Sequence, residues 1–252
     1  DYAEAYYNIG GALYAQSKLD EVIEAYNKAI SIKPDFAEAY YNIGGALHAQ
    51  SKLDEALEAY EKAISIKSDY TEALSNMGIT LHSQGKRNEA LAAFKKAISL
   101  EPDYAKAYYN MGIALREQGK LGEAIEAYKK AISIKPENAE SYLNMGNALQ
   151  ERGELEGSIL AYKKAISIKP DYSEAYYNVA SALKEQGKLE EAIEAYKKAI
   201  SIKPDFTEAH NNMCIALQEQ GKPEEAIEAC KSALSVKPDY ADAYNNMGIT
   251  LQ

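Results

Sequence analysis

The segment DYSEAYYNVASALKEQGKLEEAIEAYKKAISIKP, residues 171–204, is one statement of a sentence that the chain repeats without insertion or deletion. Copies begin at Asp1, Asp35, Asp69, Asp103, Glu137, Asp171 and Asp205, and a partial copy begins at Asp239. Seven full 34-residue copies and fourteen further residues account for all 252. A fixed period of about 20–50 residues means an array whose units bury their apolar faces only against neighbours, so the core grows along one axis. Residues 1–252 are therefore expected to form a single all-α array.

Charge narrows the partners. A net charge of −10 and a pI near 5.0 oppose binding to a nucleic-acid backbone, which needs clustered Lys and Arg. No nucleic-acid partner is expected. The sequence contains no run of about 18 apolar residues and no basic start followed by an apolar stretch, so neither a membrane span nor a signal peptide is predicted. The reading is cytoplasmic. A start without Met and an end in mid-repeat, at Gln252, predict a piece of a longer protein. The two cysteines, Cys214 and Cys230, stand where other copies carry Gly or Ala and Tyr or Phe, and are expected to pack as small free hydrophobes. A bridge would require their helices to cross at that point.

Each copy reads as two helices. Ala175, Tyr176, Val179, Ala180 and Leu183 fall on one stripe of the first, at spacings that fit the 3.6-residue period. Asp171 followed by Glu174 predicts a capping box, repeated at Asp35, Asp69 and Asp205 and broken by Lys106. Gly187 and its equivalents Gly85, Gly119, Gly153 and Gly221 predict a left-handed stop, a place held by Ser17 and Ser51 in the first two copies. The second helix buries Leu189, Ala192, Ile193, Tyr196, Ala199, Ile200 and Ile202, and Glu194 with Lys198 predicts an i, i+4 pair. Pro204 ends the unit, Ser68 replaces it once, and Pro223 opens one second helix, where a missing N–H costs nothing. Small residues recur where helices approach: Gly10, Gly44, Gly78, Gly112, Gly146, Ala180, Cys214 and Gly248 in the first helix, and Ala29, Ala63, Ala97, Ala131, Ala165, Ala199 and Ala233 in the second.

The set Tyr108, Gly112, Leu115, Gly119, Ala124, Tyr128, Ala131 and Pro136 resembles the tetratricopeptide repeat, and the likeness covers the whole chain. The family's usual Trp is Tyr in most copies, Leu74 in the third and His210 in the seventh. The resemblance implies a right-handed α-α superhelix of close to one turn, with first helices lining a concave groove and second helices outside. The array is also similar to the superhelical arm of O-linked N-acetylglucosamine transferases, in which an asparagine ladder binds substrate backbone.

One residue on the first-helix face opposite the packing stripe never varies: Asn8, Asn42, Asn76, Asn110, Asn144, Asn178, Asn212 and Asn246. Asn competes with the backbone for hydrogen bonds and is a mediocre helix former, so propensity does not explain it. It either bonds a neighbouring helix or was copied by duplication, or it forms a ladder of amides that grips an extended peptide. Tyr7, Tyr41, Tyr109 and Tyr177 precede it, replaced elsewhere by Ser75, Leu143, Asn211 and Asn245, and read either as exposed contact residues or as rings packed on the next helix. Selectivity is expected where copies differ, at Tyr14, His48, His82, Arg116, Gln150, Lys184, Gln218 and Gln252 and at Gly11, Gly45, Ile79, Ile113, Asn147, Ser181, Ile215 and Ile249. Acidic residues on this face, among them Glu38, Glu72, Glu117, Glu174, Glu185, Glu208 and Glu219, either favour a basic ligand or serve as caps and solvated rim. The family's carboxylate-clamp pattern is absent, since its Lys and Asn places hold Tyr7 with Gly11 and Tyr109 with Ile113.

No catalytic set emerges. His48, His82 and His210 lie 34 or more residues apart without metal-ligand spacing, and the Gly-Lys pairs lack the Ser or Thr of a phosphate loop. No metal, cofactor or enzymatic activity is predicted. The leading expectation is a non-catalytic scaffold that holds a peptide or protein segment in the groove. Two others stand beside it: the substrate-recognition arm of a larger enzyme such as a glycosyltransferase, and a self-assembling module. The latter follows from Tyr244, Met247 and Leu251, apolar residues with no polar capping helix behind them, which predict end-to-end stacking.

Overall fold

The computed structural model describes residues 2–250, and every regular element among them is an α-helix. The chain divides into two compact units, Asp1–Ile134 and Lys135–Gln252. In the first unit lie α1 (Tyr2–Ala15), α2 (Leu19–Ile32), α3 (Ala37–Ala49), α4 (Leu53–Ile66), α5 (Thr71–Ser83), α6 (Arg87–Leu100), α7 (Ala105–Glu117) and α8 (Leu121–Ile134). The second holds α9 (Ala139–Glu151), α10 (Leu155–Ile168), α11 (Ser173–Glu185), α12 (Leu189–Ile202), α13 (Thr207–Glu219), α14 (Pro223–Val236) and α15 (Ala241–Thr250). Odd-numbered helices are the first of each repeat and even-numbered ones the second.

Within each unit a helix packs on the one before and the one after it, and first helices also touch the next first helix: α3 on α5 and α5 on α7, then α9 on α11, α11 on α13 and α13 on α15. The first helices thus make one continuous row per unit. The pair is held together by a ring driven against a bare backbone. A Cβ added at Gly10, Gly44, Gly78 or Gly112 would fall 2.6–2.7 Å from the ring of Tyr26, Tyr60, Phe94 or Tyr128, closer than real contacts allow. Those rings are at most 3 % exposed. Ala180 takes the place opposite Tyr196, so one methyl is accommodated there at full burial. The second small site is as closed: Ala29, Ala63, Ala97, Ala131, Ala165, Ala199 and Ala233 are at most 1 % exposed.

The expectation for the cysteines is overturned at this contact. Cys214 and Cys230 are fully buried and joined as a disulfide, with Cα atoms 5.4 Å apart. The reason is register. They occupy the Gly and ring positions whose close approach the other helix pairs exploit, so the sequence spacing already carried the proximity.

Turns inside each pair follow the expectation. Gly85, Gly119, Gly153, Gly187 and Gly221 have φ of 72–83°, and Ser17 and Ser51 are forced into the same region at 58° and 61°. A side chain there costs about 1–2 kcal/mol. Turns between pairs differ from it. The capping box does not form: Asp171 lies ahead of the N-cap, which is Tyr172, and no side chain caps α11. Phe36, Tyr70, Tyr104 and Phe206 are N-caps in the same way. Their rings are anchored in the repeat interface, and Lys33, Lys67, Lys169 and Lys203 lie 4.6–5.0 Å over the rings of Phe36, Tyr70, Tyr172 and Phe206. Ring burial and a cation over the ring fix this turn, so the Asp oxygen is not needed as a cap. At Asn138, by contrast, the side chain does cap, accepting from Ser141 N at 2.6 Å.

Two smaller expectations change. Glu194 pairs with Lys197 at 2.8 Å rather than with Lys198. Ser68 does not let a helix run on, because α4 still ends at Ile66 and turns through Lys67. Pro223 opens α14 as expected. His210 fills the place of the aromatic, 9 % exposed, and its Nε2–H donates to the Pro204 carbonyl at 2.9 Å.

Candidate functional site

The asparagines lie in the row of first helices, and the structure shows what most of their amides do. Asn42 Nδ2 donates to the Tyr7 hydroxyl at 3.1 Å, Asn76 to Tyr41 at 3.0 Å and Asn212 to Tyr177 at 2.8 Å. Each bond joins one repeat to the next. Where Tyr is replaced by Leu143 or Asn211, the amide finds a substitute: Asn178 donates to Asn147 Oδ1 and Asn246 to Asn211 Oδ1, both at 2.9 Å. Asn144 donates within its own helix, to the Glu140 carbonyl at 3.0 Å. Asn110 is the exception. The residue 35 places before it is Ser75, whose side chain is too short to reach, and Asn110 Nδ2 and Ser75 Oγ are both buried with no hydrogen-bond partner. Asn8, in α1, is exposed.

The tyrosines are half-buried rather than freely exposed. Tyr7, Tyr41, Tyr109 and Tyr177 lie 5.5–6.1 Å from the rings of Tyr26, Tyr60, Tyr128 and Tyr196. Three also meet the N-cap ring of the next repeat: Tyr7 with Phe36 at 4.8 Å, Tyr41 with Tyr70 at 5.1 Å and Tyr177 with Phe206 at 5.0 Å. Burial raises the pKa of Tyr41 and Tyr177, and Tyr104 is pushed up to about 12 by burial with help from Glu72. These phenols are neutral donors and acceptors at physiological pH.

The variable row forms a second set of bonds between repeats. Thr80 Oγ1 donates to the Asn76 carbonyl at 2.9 Å, so His48 Nδ1, 2.9 Å away, must be the protonated nitrogen that donates to Thr80. His82 Nε2 meets Glu117 Oε2 at 2.9 Å, with Arg87 Nε 3.6 Å from the same oxygen. Gln150 donates to Glu185, and Lys184 lies 4.0 Å from Glu219. Arg116 is half-buried in the last turn of α7. Glu117, Glu185 and Glu219 are therefore engaged by neighbours, which removes them as a free acidic strip. Glu38, Glu174 and Glu208 stand in the first turns of α3, α11 and α13. Lys106 takes the place that Glu holds in other copies. Its Nζ donates to Asn76 Oδ1 at 3.0 Å, and burial of the ammonium lowers its pKa while Glu72 opposes this.

Two features escaped the sequence reading. Asn147 is a junction, accepting from Asn178 while the Tyr162 hydroxyl lies 2.9 Å from both Asn147 Oδ1 and Gln150 Oε1. An Asn where other copies hold Gly, Ile or Ser was the available signal. The other is a set of cavities on the second-helix side, of about 380–520 Å³, floored by equivalent residues: Tyr40, Ile43 and Leu47; Leu74, Met77 and Leu81; Tyr108, Met111 and Leu115; Tyr176, Val179 and Leu183. A further cavity of about 520 Å³ on the asparagine side is lined by Tyr172, Glu174, Tyr177, Asn178, Phe206 and Glu208 among others.

Among the described residues no group of three or more His, Cys, Asp or Glu is placed to hold a metal ion. No described helix is long and apolar enough to cross a membrane. At the last helix, Tyr244 is 53 % exposed while Met247 packs partly against the core; Leu251, and Gln252 of the variable row, lie outside the described residues.

The TPR repeat profile matches residues 10–51, 44–85, 80–115, 112–151, 146–187 and 180–221, and the tetratricopeptide repeat profile matches 207–240. No curated protein sequence matches the chain. Among solved structures, the C-terminal part of a TPR repeat-containing protein from Cytophaga hutchinsonii superposes with a TM-score of 0.76 at 18 % identity, covering 96 % of this chain and 99 % of that one. MamA protein is similar at 31 % identity and a TM-score of 0.61, over 67 % of this chain and 92 % of its own. YrrB, described as a TPR protein with an unusual peptide-binding site, aligns at 24 % identity with a TM-score of 0.64, over 75 % of this chain and 97 % of its own.

Proposed function

This chain belongs to the tetratricopeptide repeat family, a family of protein-interaction modules, and on that premise we propose that it is a non-catalytic scaffold whose first-helix row holds an extended peptide or protein segment. The observation that carries the reading is the asparagine row. Most of its amides are fixed by hydrogen bonds, three of them to the preceding Tyr hydroxyl, which leaves the Oδ1 of Asn42 and Asn212 for a ligand backbone. A group already locked in place loses little entropy on binding. Asn76, whose Oδ1 takes the Lys106 ammonium, is the occupied rung. Tyr7, Tyr41, Tyr109 and Tyr177 supply apolar edges beside the rungs, and His48, His82, Arg116 and Lys184 supply what differs along the face.

The test is enrichment of a random peptide library on this protein beside the Asn42→Ala/Asn110→Ala/Asn212→Ala variant. Enrichment that disappears in the folded variant is expected. Equal enrichment on both would put binding elsewhere, with the cavities of the second-helix side as the next site to examine.

A further inference from the structure

We propose that the Cys214–Cys230 disulfide is a redox-controlled lock on the α13–α14 pair, and through it on the last rungs of the asparagine row. The other repeats show what this contact normally holds. There the same two positions hold a bare or methyl-bearing residue and a ring packed hard against it, at distances that leave no slack. Here both partners are small, so covalent closure replaces a packed ring. The bond draws the two helices together as the ring does elsewhere.

Reduction by a dithiol breaks the S–S bond: each sulfur takes one proton and one electron, and the reductant closes its own disulfide. What remains is two thiols in a space that holds an aromatic ring in the other pairs, a cavity in the repeat core. The consequence reaches the groove side, because α13 carries Asn211 and Asn212, and Asn246 of α15 donates to Asn211 Oδ1 at 2.9 Å. Both sulfurs belong to residues with no exposed surface, so a thiol reaches them only when α13 and α14 separate. The lock therefore responds slowly while the pair is closed and stays open in a reducing compartment once opened. Its effect on binding rests on the groove reading; the lock itself does not.

The experiment compares oxidised and dithiol-reduced protein by thermal melting and by amide exchange across α13–α15, alongside Cys214→Gly/Cys230→Tyr, which installs the pair that other repeats use. Cys214→Ala/Cys230→Tyr, which copies the pairing of Ala180 with Tyr196, serves if the first variant does not fold. Reduction is expected to lower the Tm of the native chain by about 5–10 °C and to speed exchange in α13–α15 several-fold, with neither change in the ring-bearing variant. Equal melting of oxidised and reduced protein would overturn the proposal, as would two free thiols in air-oxidised protein denatured in the presence of an alkylating agent. Peptide affinity measured on both forms is a separate readout: its failure to change speaks against the groove reading and leaves the lock standing.

Discussion

Two neighbouring rungs of the same row behave differently. At Tyr41 and Asn76 the amide reaches a phenol on the previous repeat, the phenol leans on Tyr60 and Tyr70, and Lys106 closes the amide oxygen from the other side. At Ser75 and Asn110 the phenol is missing, and two buried polar atoms are left without partners. The same asparagine is thus a structural tie in one place and an unspent group in the next. The tie belongs to the Tyr–Asn pair, not to Asn alone, and the rung that lacks its phenol is where the proposed binding can be tested apart from folding.

The closed rung should break hardest from below. Tyr60→Ala removes a fully buried ring that supports Tyr41 and fills the contact with Gly44, and is expected to cost about 3–5 kcal/mol in denaturant unfolding. A loss under about 1 kcal/mol would mean the ring is not what holds α3 to α4. Asn76→Ala acts on the rung itself. It strands the half-buried Tyr41 hydroxyl and the Lys106 ammonium, for an expected loss of about 1–3 kcal/mol, against no measurable loss for Asn110→Ala. Similar losses for the two would erase the distinction between them. Ser51→Gly, in the turn beside the closed rung, should stabilise by about 0.5–1 kcal/mol, since relief of the left-handed backbone outweighs the added freedom of the unfolded chain.

Alkaline titration sharpens the comparison without a mutation. Burial holds the Tyr41 and Tyr104 phenols in the neutral form. A raised pKa in the folded state contributes stability that is present below the ordinary phenol range near 10 and is lost as pH climbs through the folded value, about 12 for Tyr104. Phenolate absorbance should therefore rise late, together with unfolding, above about pH 10. Ionisation of Tyr41 and Tyr104 with a midpoint near 10 in a native fold would show the rings to be open to water.

Much of this was legible in the chain. The period placed every helix, and the positions of Gly85 and Ser51 foretold left-handed turns because few residues tolerate that backbone. What the sequence hid was reach. Asp171 has the chemistry of a cap, but the anchored Tyr172 ring set the turn before it could act. Cys214 and Cys230 were visible as substitutions at Gly and ring positions, and their register carried the proximity, but small buried residues at those places read equally well as unbonded packing. The glutamates at 117, 185 and 219 read either as a strip for a basic ligand or as solvated rim until the preceding repeat was folded against them. For the asparagines, repetition alone could not distinguish a tie from a grip, because both demand the same residue at the same place.

The most direct test of the grip is the affinity of a library-selected peptide for the native chain and for Asn110→Ala, measured by fluorescence anisotropy with the Tm recorded on the same samples. The account predicts an unchanged Tm and a Kd about 5–10-fold weaker, the worth of roughly one hydrogen bond. An unchanged Kd on a folded variant would contradict it and leave the asparagine row as packing alone.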